Sequence, residues 1–539
     1  GYSAFNFWLV GSIFFALITS IPLLVIFLSS FQVNNEVWSH IYDYLIISYI
    51  SNSLLLLIGV VALTIFMGVL AAWFIVFYNI PFKKLLSTLL VLPIAIPPYA
   101  VAYCYADLTD KGGIIDNILV NISTGGIIFS SPSIRSLTGS ILILSLTLFP
   151  YIFLIVRYSF QNNALKIIES AANLGASKAK LFFKFALPIS RPALVAAVTL
   201  VVMETLADFG VVHYLGINTL SVGVYKAWFG FDDLNSSARI ALILLIFTLS
   251  VILIEKYLRL GQKENYTSFG IKSNITALFN SKIFFPTFFL IIVILLSFII
   301  PISWLVSNLR LHSFNNTSQI IEAIFNSTKI ALLGAFIIVS FAIFLIFAKR
   351  ICKTSILSFI INFSKIGYAA PGIVVAIGVI TPTIFFDKKI NSLFSFFGME
   401  VGLIMSGSIV ILIFAYLVRF LSVAFNPIES GLEKISEKID HSALNLGASR
   451  NKLLLKVHLP MILTTCLIGF LLIFIDILKE LPITLILRPF NFNTLSVFTF
   501  EYASSEQLVL ASLPALLITT IGLIPLVFID RIVNNKTGL

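Results

Sequence analysis

Five ionisable side chains interrupt two otherwise apolar stretches of this 539-residue sequence: Glu204 and Asp208 in ALVAAVTLVVMETLADFGVVHYLG, and Asp476, Lys479 and Glu480 in LIGFLLIFIDILKELPITLIL. Residues four apart share a helix face, so Glu204 and Asp208 point the same way. A charge in an apolar medium is costly and marks a pathway or site unless it is neutralised locally. Such carboxylates attract a cationic solute, although four of them around a bare trivalent ion would hold it too tightly to release. Two structural roles compete with passage. Lys479 stands three residues from Asp476 and can pair with it, and a carboxylate can satisfy the backbone of a broken helix. Pro93, Pro97, Pro98 and Pro371 interrupt two further apolar stretches. Each removes a backbone donor and frees a carbonyl, which is compatible with kinks lining a cavity and with plain packing bends.

Other chemistry has no motif to carry it. Cys104, Cys352 and Cys466 lie far apart without a CxxC, and His40, His213, His312, His441 and His458 form no HExxH. Neither a metal site nor a disulfide framework is expected. No GxxxxGK[ST] occurs, so the chain cannot build the phosphate-cradling loop of an ATPase. The lack of a His, Cys or Ser nucleophile constellation also disfavours a membrane-embedded enzyme.

The elements that position these residues follow from composition. Hydrophobic residues make up 59% of the chain and charged residues 11%, with a mean hydropathy of +1.05, whereas a soluble chain carries about 25% charged residues. Too little polar material remains to cover a water-facing surface, and the expected fold is an all-α integral membrane protein. Apolar runs long enough to span, about 20 residues each, fall near 5–29, 53–78, 85–107, 138–160, 191–212, 239–258, 283–306, 328–348, 355–382, 402–423, 461–479 and 508–529. The first is too long for a signal-peptide core and reads as a retained span. Counting from Pro192 at about 1.5 Å per residue puts Glu204 and Asp208 in the outer half of the fifth span. A cytoplasmic N-terminus places 24 of the 35 basic residues inside, Arg157 and Arg419 among them, with Lys365 and Lys479 within spans. That bias sets both termini in the cytoplasm and accounts for the net charge of +11 without nucleic acid.

Residues 169–188, ESAANLGASKAKLFFKFALP, match residues 441–460, HSALNLGASRNKLLLKVHLP, at twelve of twenty positions with an offset of 272. Asn52-Ser53 against Asn326-Ser327, and Pro97 against Pro371, keep an offset of 274. Glu204 and Asp208 map onto Asp476 and Glu480. The chain therefore reads as a tandem duplication of a six-span unit, with halves 1–262 and 263–539 joined through a polar stretch near 259–282. An even span count inserts both halves in one direction, related by a pseudo-two-fold axis along the membrane normal.

In each copy the repeated segment reads as a short helix, a turn at Gly175 or Gly447, and an amphipathic helix expected to stop at Pro188 or Pro460. The motif resembles the EAA loop of type I ABC importer permeases, the coupling helix that docks on the ATP-binding subunit. The first copy matches through Glu169, Ala171, Gly175, Leu187 and Pro188. The second matches through Ala443, Gly447, Leu459 and Pro460, with His441 where the family has Glu. Arg157 precedes Gly175 by 18 residues and Arg419 precedes Gly447 by 28, so the second loop is expected to be longer, around NPIESGLEKISEK. With TLADFGVVHYLG and KELPITLILRPFNFNTL, the whole chain is similar to fused two-half ferric iron permeases. Related fused permeases carry thiamine, phosphonates or polyamines.

The resemblance implies two copies of an ABC ATP-binding subunit, which would bind ATP and Mg, and a periplasmic binding protein that supplies ferric iron or another solute. It also implies a multi-pass protein of the bacterial inner membrane, itself without cofactor. An ion-coupled secondary transporter with parallel repeats is the rival class, and its cytoplasmic loops need not resemble one another.

Overall fold

The computed structural model describes residues 2–32, 36–122, 133–259, 283–309, 317–364, 367, 370–396 and 402–537. Its architecture is all-helical. Among the described residues ten helices are long and apolar enough to cross a bilayer: Phe7–Ser29, Glu36–Phe77, Leu137–Ser159, Lys178–Ala207, Leu234–Glu255, Phe284–Leu309, Thr317–Cys352, Ile409–Glu433, Arg450–Lys479 and Leu508–Phe528. An eleventh candidate, Lys83–Ala95 with Pro98–Ile122, bends by 95° at its break. The expected ninth span is divided into Ser355–Ser364 and Gly372–Ser395. Pro97 and Pro371 are the residues before the first turn of the second segment in each broken pair, both in extended conformation. The prolines thus mark breaks in the spans rather than bends within them. The polar join expected near 259–282, and Lys365, lie outside the described residues.

Apolar side chains surround these helices on all sides, and backbone groups in a bilayer must be satisfied within the segment. The scattered hydroxyls do the same. Ser12 donates to Trp8 O at 2.6 Å, Thr64 to Val60 O at 2.7 Å and Ser145 to Ile141 O at 2.6 Å, each one turn back along its own helix.

The N-terminal helix Tyr2–Ser29 packs against Thr317–Cys352, Ser355–Ser364 and Gly372–Ser395, and Phe284–Ile294 with Ile300–Leu309 packs against Ile46–Phe77 and Pro98–Thr109. Ser364 Oγ donates to Ala16 O at 3.1 Å, and Trp304 Nε1 donates to Asp107 Oδ2 at 2.7 Å. The opening helix of each part of the chain is therefore clasped by the other part.

Hydrogen bonds recur at nearly constant offset. Asn52 Nδ2 donates to Asn218 O at 3.0 Å and Asn326 Nδ2 to Asn493 O at 3.2 Å; Ser53 Oγ accepts from Leu220 N at 2.9 Å and Ser327 Oγ from Leu495 N at 2.7 Å. Ser136 and Ser408 cap the starts of Leu137–Ser159 and Ile409–Glu433. Each cap precedes its Gly175 or Gly447 by the same 39 residues, so the second loop carries no insertion. Arg157 corresponds to Glu429, and Arg419 to Thr147. Ile409–Glu433 runs ten residues past the expected end of its span, which moves Arg419 from the cytoplasmic set into the middle of a buried helix.

Candidate functional site

Two regions bring the singled-out residues together. The first comprises the repeated loops. Helix Leu165–Asn173 ends where Gly175 takes φ +83°, and helix Glu437–Asn445 ends where Gly447 takes φ +79°. Gly175 N donates to Ala172 O and Ala176 N to Ala171 O; Gly447 N and Ala448 N donate to Leu444 O and Ala443 O. This paired closure needs a left-handed residue, which only glycine supplies without strain. Ser177 and Ser449 cap the next helix through Lys180 N and Lys452 N. Leu174 and Leu446, just before the glycines, are 89% and 88% exposed. Two apolar side chains thus project from two matching turns, the form of a surface that takes a partner.

Pro188 and Pro460 do not stop the amphipathic helices. Lys178–Ala207 and Arg450–Lys479 continue through them as single helices. Wide π-type turns, Leu181–Ala186 and Leu453–His458, lie just ahead of Leu187-Pro188 and Leu459-Pro460 and accommodate the missing donor. Loop and span are one rigid body at this joint.

Glu169 makes no ion pair among the described residues, and His441 is exposed. Beside His441 stands Asp440, a residue without signal in the sequence reading. Arg350 Nε donates to Asp440 Oδ2 at 2.6 Å, Arg350 Nη1 to Leu432 O at 2.6 Å, and His458 Nε2 lies 2.7 Å from Asp440 Oδ1. Partial burial opposes ionisation of Asp440, yet the hydrogen bonds from Arg350 and His458 hold its carboxyl below the usual carboxylate range.

The second region is a cavity between the parts. Helix Leu187–Ala207 breaks at Asp208 and helix Leu459–Lys479 at Glu480, both in extended conformation. Asp208 Oδ2 accepts from Val212 N at 3.2 Å and Glu480 Oε1 from Ile483 N at 3.4 Å, so both carboxylates cap the short helices that follow. Their carbonyls accept from Ser221 Oγ and Ser496 Oγ at 2.7 and 3.0 Å. Glu204, Asp208, Lys479 and Glu480 line one cavity together with Arg419, Tyr99 and Tyr151. Arg419 Nε lies 3.7 Å from Glu480 Oε2. Asp476 is not a lining residue and pairs with Lys479 at 3.2 Å. Pro97 lies between the lining residues Ile96 and Pro98 without lining the cavity itself, Pro93 is in the wall, and neither Pro371 nor its chain neighbours line it. Among the described residues no three His, Cys, Asp or Glu side chains close on a common point. The cavity gathers charge without forming a metal cage.

The molecule is thus a multi-pass helical protein with paired loops and a charged cavity between its clasped parts. Residues 64–263 match the family of the binding-protein-dependent transport system inner membrane component. Over this stretch the chain is similar to that family of transport permeases. It is 23% identical to the Fe(3+)-transport system permease protein FbpB 2 of Haemophilus influenzae over 494 residues, 89% of each chain. It is also 25% identical over 218 residues to the molybdenum transport system permease protein ModB of that organism, covering 39% of this chain and 93% of the relative. A third relative, the sulfate transport system permease protein CysT of Salmonella typhimurium, is 28% identical over 151 residues, 28% of this chain and 52% of its own length.

Proposed function

We propose that this chain is the complete membrane pathway of an ATP-driven importer for ferric iron, with two six-span repeats, 1–262 and 263–539, forming twelve spans in the bacterial inner membrane. Both termini face the cytoplasm; removing Arg419 from the inside set leaves 23 basic residues there, still the large majority. Two copies of an ATP-binding subunit, carrying ATP and Mg, dock on Glu169–Pro188 and His441–Pro460. A periplasmic binding protein delivers the metal at the other face, and alternating access moves it inward. The chain itself performs no chemistry. The observation that carries this reading is the pair of glycine-closed turns with exposed Leu174 and Leu446 at one offset. One loop on each half calls for one ATPase on each half, and a secondary transporter has no use for either.

Ferric iron as cargo is supported by the relative that spans nearly the whole chain and by carboxylates at Glu204, Asp208 and Glu480 in the cavity. Arg419 and Lys479 in the same wall favour a second reading, an oxyanion cargo such as the molybdenum and sulfate relatives carry. Proteoliposomes holding the permease, its ATPase and its binding protein separate the two. ATP-dependent accumulation of labelled ferric ion, undiminished by molybdate or sulfate, is expected. Accumulation of the oxyanion in its place refutes iron, and uptake that continues without the ATPase refutes the importer class.

A further inference from the structure

The four intramembrane carboxylates recur in both halves, but the cations beside them do not. At the offset of 272, Arg419 and Lys479 correspond to Thr147 and Ala207, and all four positions line the cavity. The first half therefore fills the same places with uncharged side chains, so packing at these positions does not require a cation. Both pairs lie within the second half: Arg419 Nε with Glu480 Oε2 at 3.7 Å, beyond hydrogen-bond distance, and Lys479 Nζ with Asp476 Oδ1 at 3.2 Å. A side chain at Gly372 would put its Cβ 2.5 Å from Glu480 Oε1 and 2.8 Å from Arg419 Nη1. Glycine after Pro371 thus lets the ninth span's second segment begin directly against the pair.

On the opposite side Glu204 is within electrostatic reach of Lys479 and Arg419 without contacting either. Glu204 makes no ion pair among the described residues, and the buried Tyr99 hydroxyl, in the cavity wall, has no hydrogen-bond partner. Carboxylate and phenol are hard oxygen donors suited to a hard cation. Three carboxylates in the wall and Asp476 behind it would, with no compensation, trap a multiply charged ion in this medium of low dielectric constant, and two cations halve that charge.

We propose that Arg419 and Lys479 are resident counter-cations of the passage. They offset the carboxylate charge of the empty cavity, Arg419 at Glu480 and Lys479 from its pair with Asp476 behind the wall, and their charge weakens the hold on a passing cation so that it can leave. This rests on the cationic cargo proposed above. Entry begins on the first-half side, at Glu204 and Tyr99, and release is assisted when Arg419 returns to Glu480.

The test compares wild type, Arg419→Gln, Lys479→Met and Arg419→Lys as reconstituted complexes with ATPase and loaded binding protein, normalised to folded protein by size-exclusion fluorescence. Uptake of labelled ferric ion and label retained on the complex after rapid filtration are both measured. Removing either cation should lower uptake roughly three- to tenfold and raise retained label by a similar factor, with Arg419→Lys close to wild type. Reduced uptake with unchanged retention means that the arginine only positions Glu480, and it overturns the proposal. Loss of retained label means that the cations receive an anionic ligand, and it overturns the proposal in the other direction. Wild-type complexes that accumulate no ferric ion reject the cargo assignment before any variant is compared.

Discussion

The two repeated loops share one backbone and differ in what fastens it to the helices behind. Leu165, Ile168 and Ala171 of the first loop are buried, and Trp73 packs edge-on to both Phe160 and Phe182 nearby. At the aligned places the second loop has Asp440 for Ile168 and His458 for Ala186, with Arg350 closing on Asp440. Lys349 with Glu429 at 2.6 Å and Lys353 with Glu437 at 2.8 Å extend the same anchoring to the end of helix Thr317–Cys352. Apolar packing is non-directional and indifferent to pH or salt. A hydrogen-bonded ion network fixes one geometry and fails when a single member is lost. One loop geometry is thus reached in two ways, the second being the more closely defined and the more easily broken.

The largest effect is expected where the loops are alike. Gly175→Trp or Gly447→Trp forces a bulky residue into the left-handed region, at about 1–2 kcal/mol of backbone strain, and puts an indole into the docking surface. Each variant should remain in the membrane yet lose co-purified ATPase and substrate-stimulated ATP hydrolysis; unchanged values in both would remove the coupling assignment.

Arg350→Ala separates the loops. It leaves Asp440 with His458 as its one remaining side-chain partner and frees the Leu432 and Ile435 carbonyls, and should destabilise the second loop by about 3 kcal/mol, seen as protease cleavage within 434–449 while 161–177 stays protected. Equal cleavage of both loops would show that the ion network is not what distinguishes them.

Asp208→Asn with Glu480→Gln keeps an acceptor for Val212 N and Ile483 N, so the short helices remain capped and the amount of folded protein should hold. Uptake should fall roughly tenfold. Normal uptake removes the pathway role of these carboxylates and leaves the permease assignment intact.

A smaller difference is expected at Glu169 and His441. A carboxylate accepts or pairs with a basic group on the ATPase, which a neutral imidazole does weakly. Glu169→Ala should therefore impair transport more than His441→Ala, by a few-fold, and His441→Glu should be tolerated. Equal losses contradict unequal docking.

The smallest effect is pH-dependent. Asp440 is held below its unfolded value of about 3.9, so its stabilising contribution is present above that pH and disappears as pH falls through the lower folded value. Acidification below about pH 4 should loosen the second loop before the first, measurable as hydrogen exchange in 437–445 against 165–173. Simultaneous loosening would place the stabilising contacts elsewhere.

Much of this molecule is readable in one dimension because a bilayer leaves few alternatives. A long apolar run must be helical, a repeated loop must form twice, and a left-handed turn selects glycine; ten spans, both loops and the pairing of Lys479 with Asp476 follow from these constraints, whereas the third and ninth expected spans are broken. The placement of Arg419 does not follow, because its spacing of 28 residues from Gly447, against 18 between Arg157 and Gly175, suggests a longer loop rather than a charge inside the helix. Its signal was present in AYLVRFLSVAF, a charge with apolar residues on both sides, and the capping serines Ser136 and Ser408 carry the true register.

What the chain determined by itself is its class, its all-helical elements and the local geometry of Gly175 and Gly447, since these depend on residues a few positions apart and on the cost of unpaired backbone in lipid. What tertiary structure alone decided is which distant groups share an environment. Arg350 reaches Asp440 across 90 residues, Trp304 reaches Asp107 across 197, and Arg419 and Lys479 meet the first half's Glu204 and Asp208 around one cavity. Such meetings depend on how helices cross and where they break, and the Coulomb energy that makes them matter falls with a distance through space that spacing along the chain does not encode.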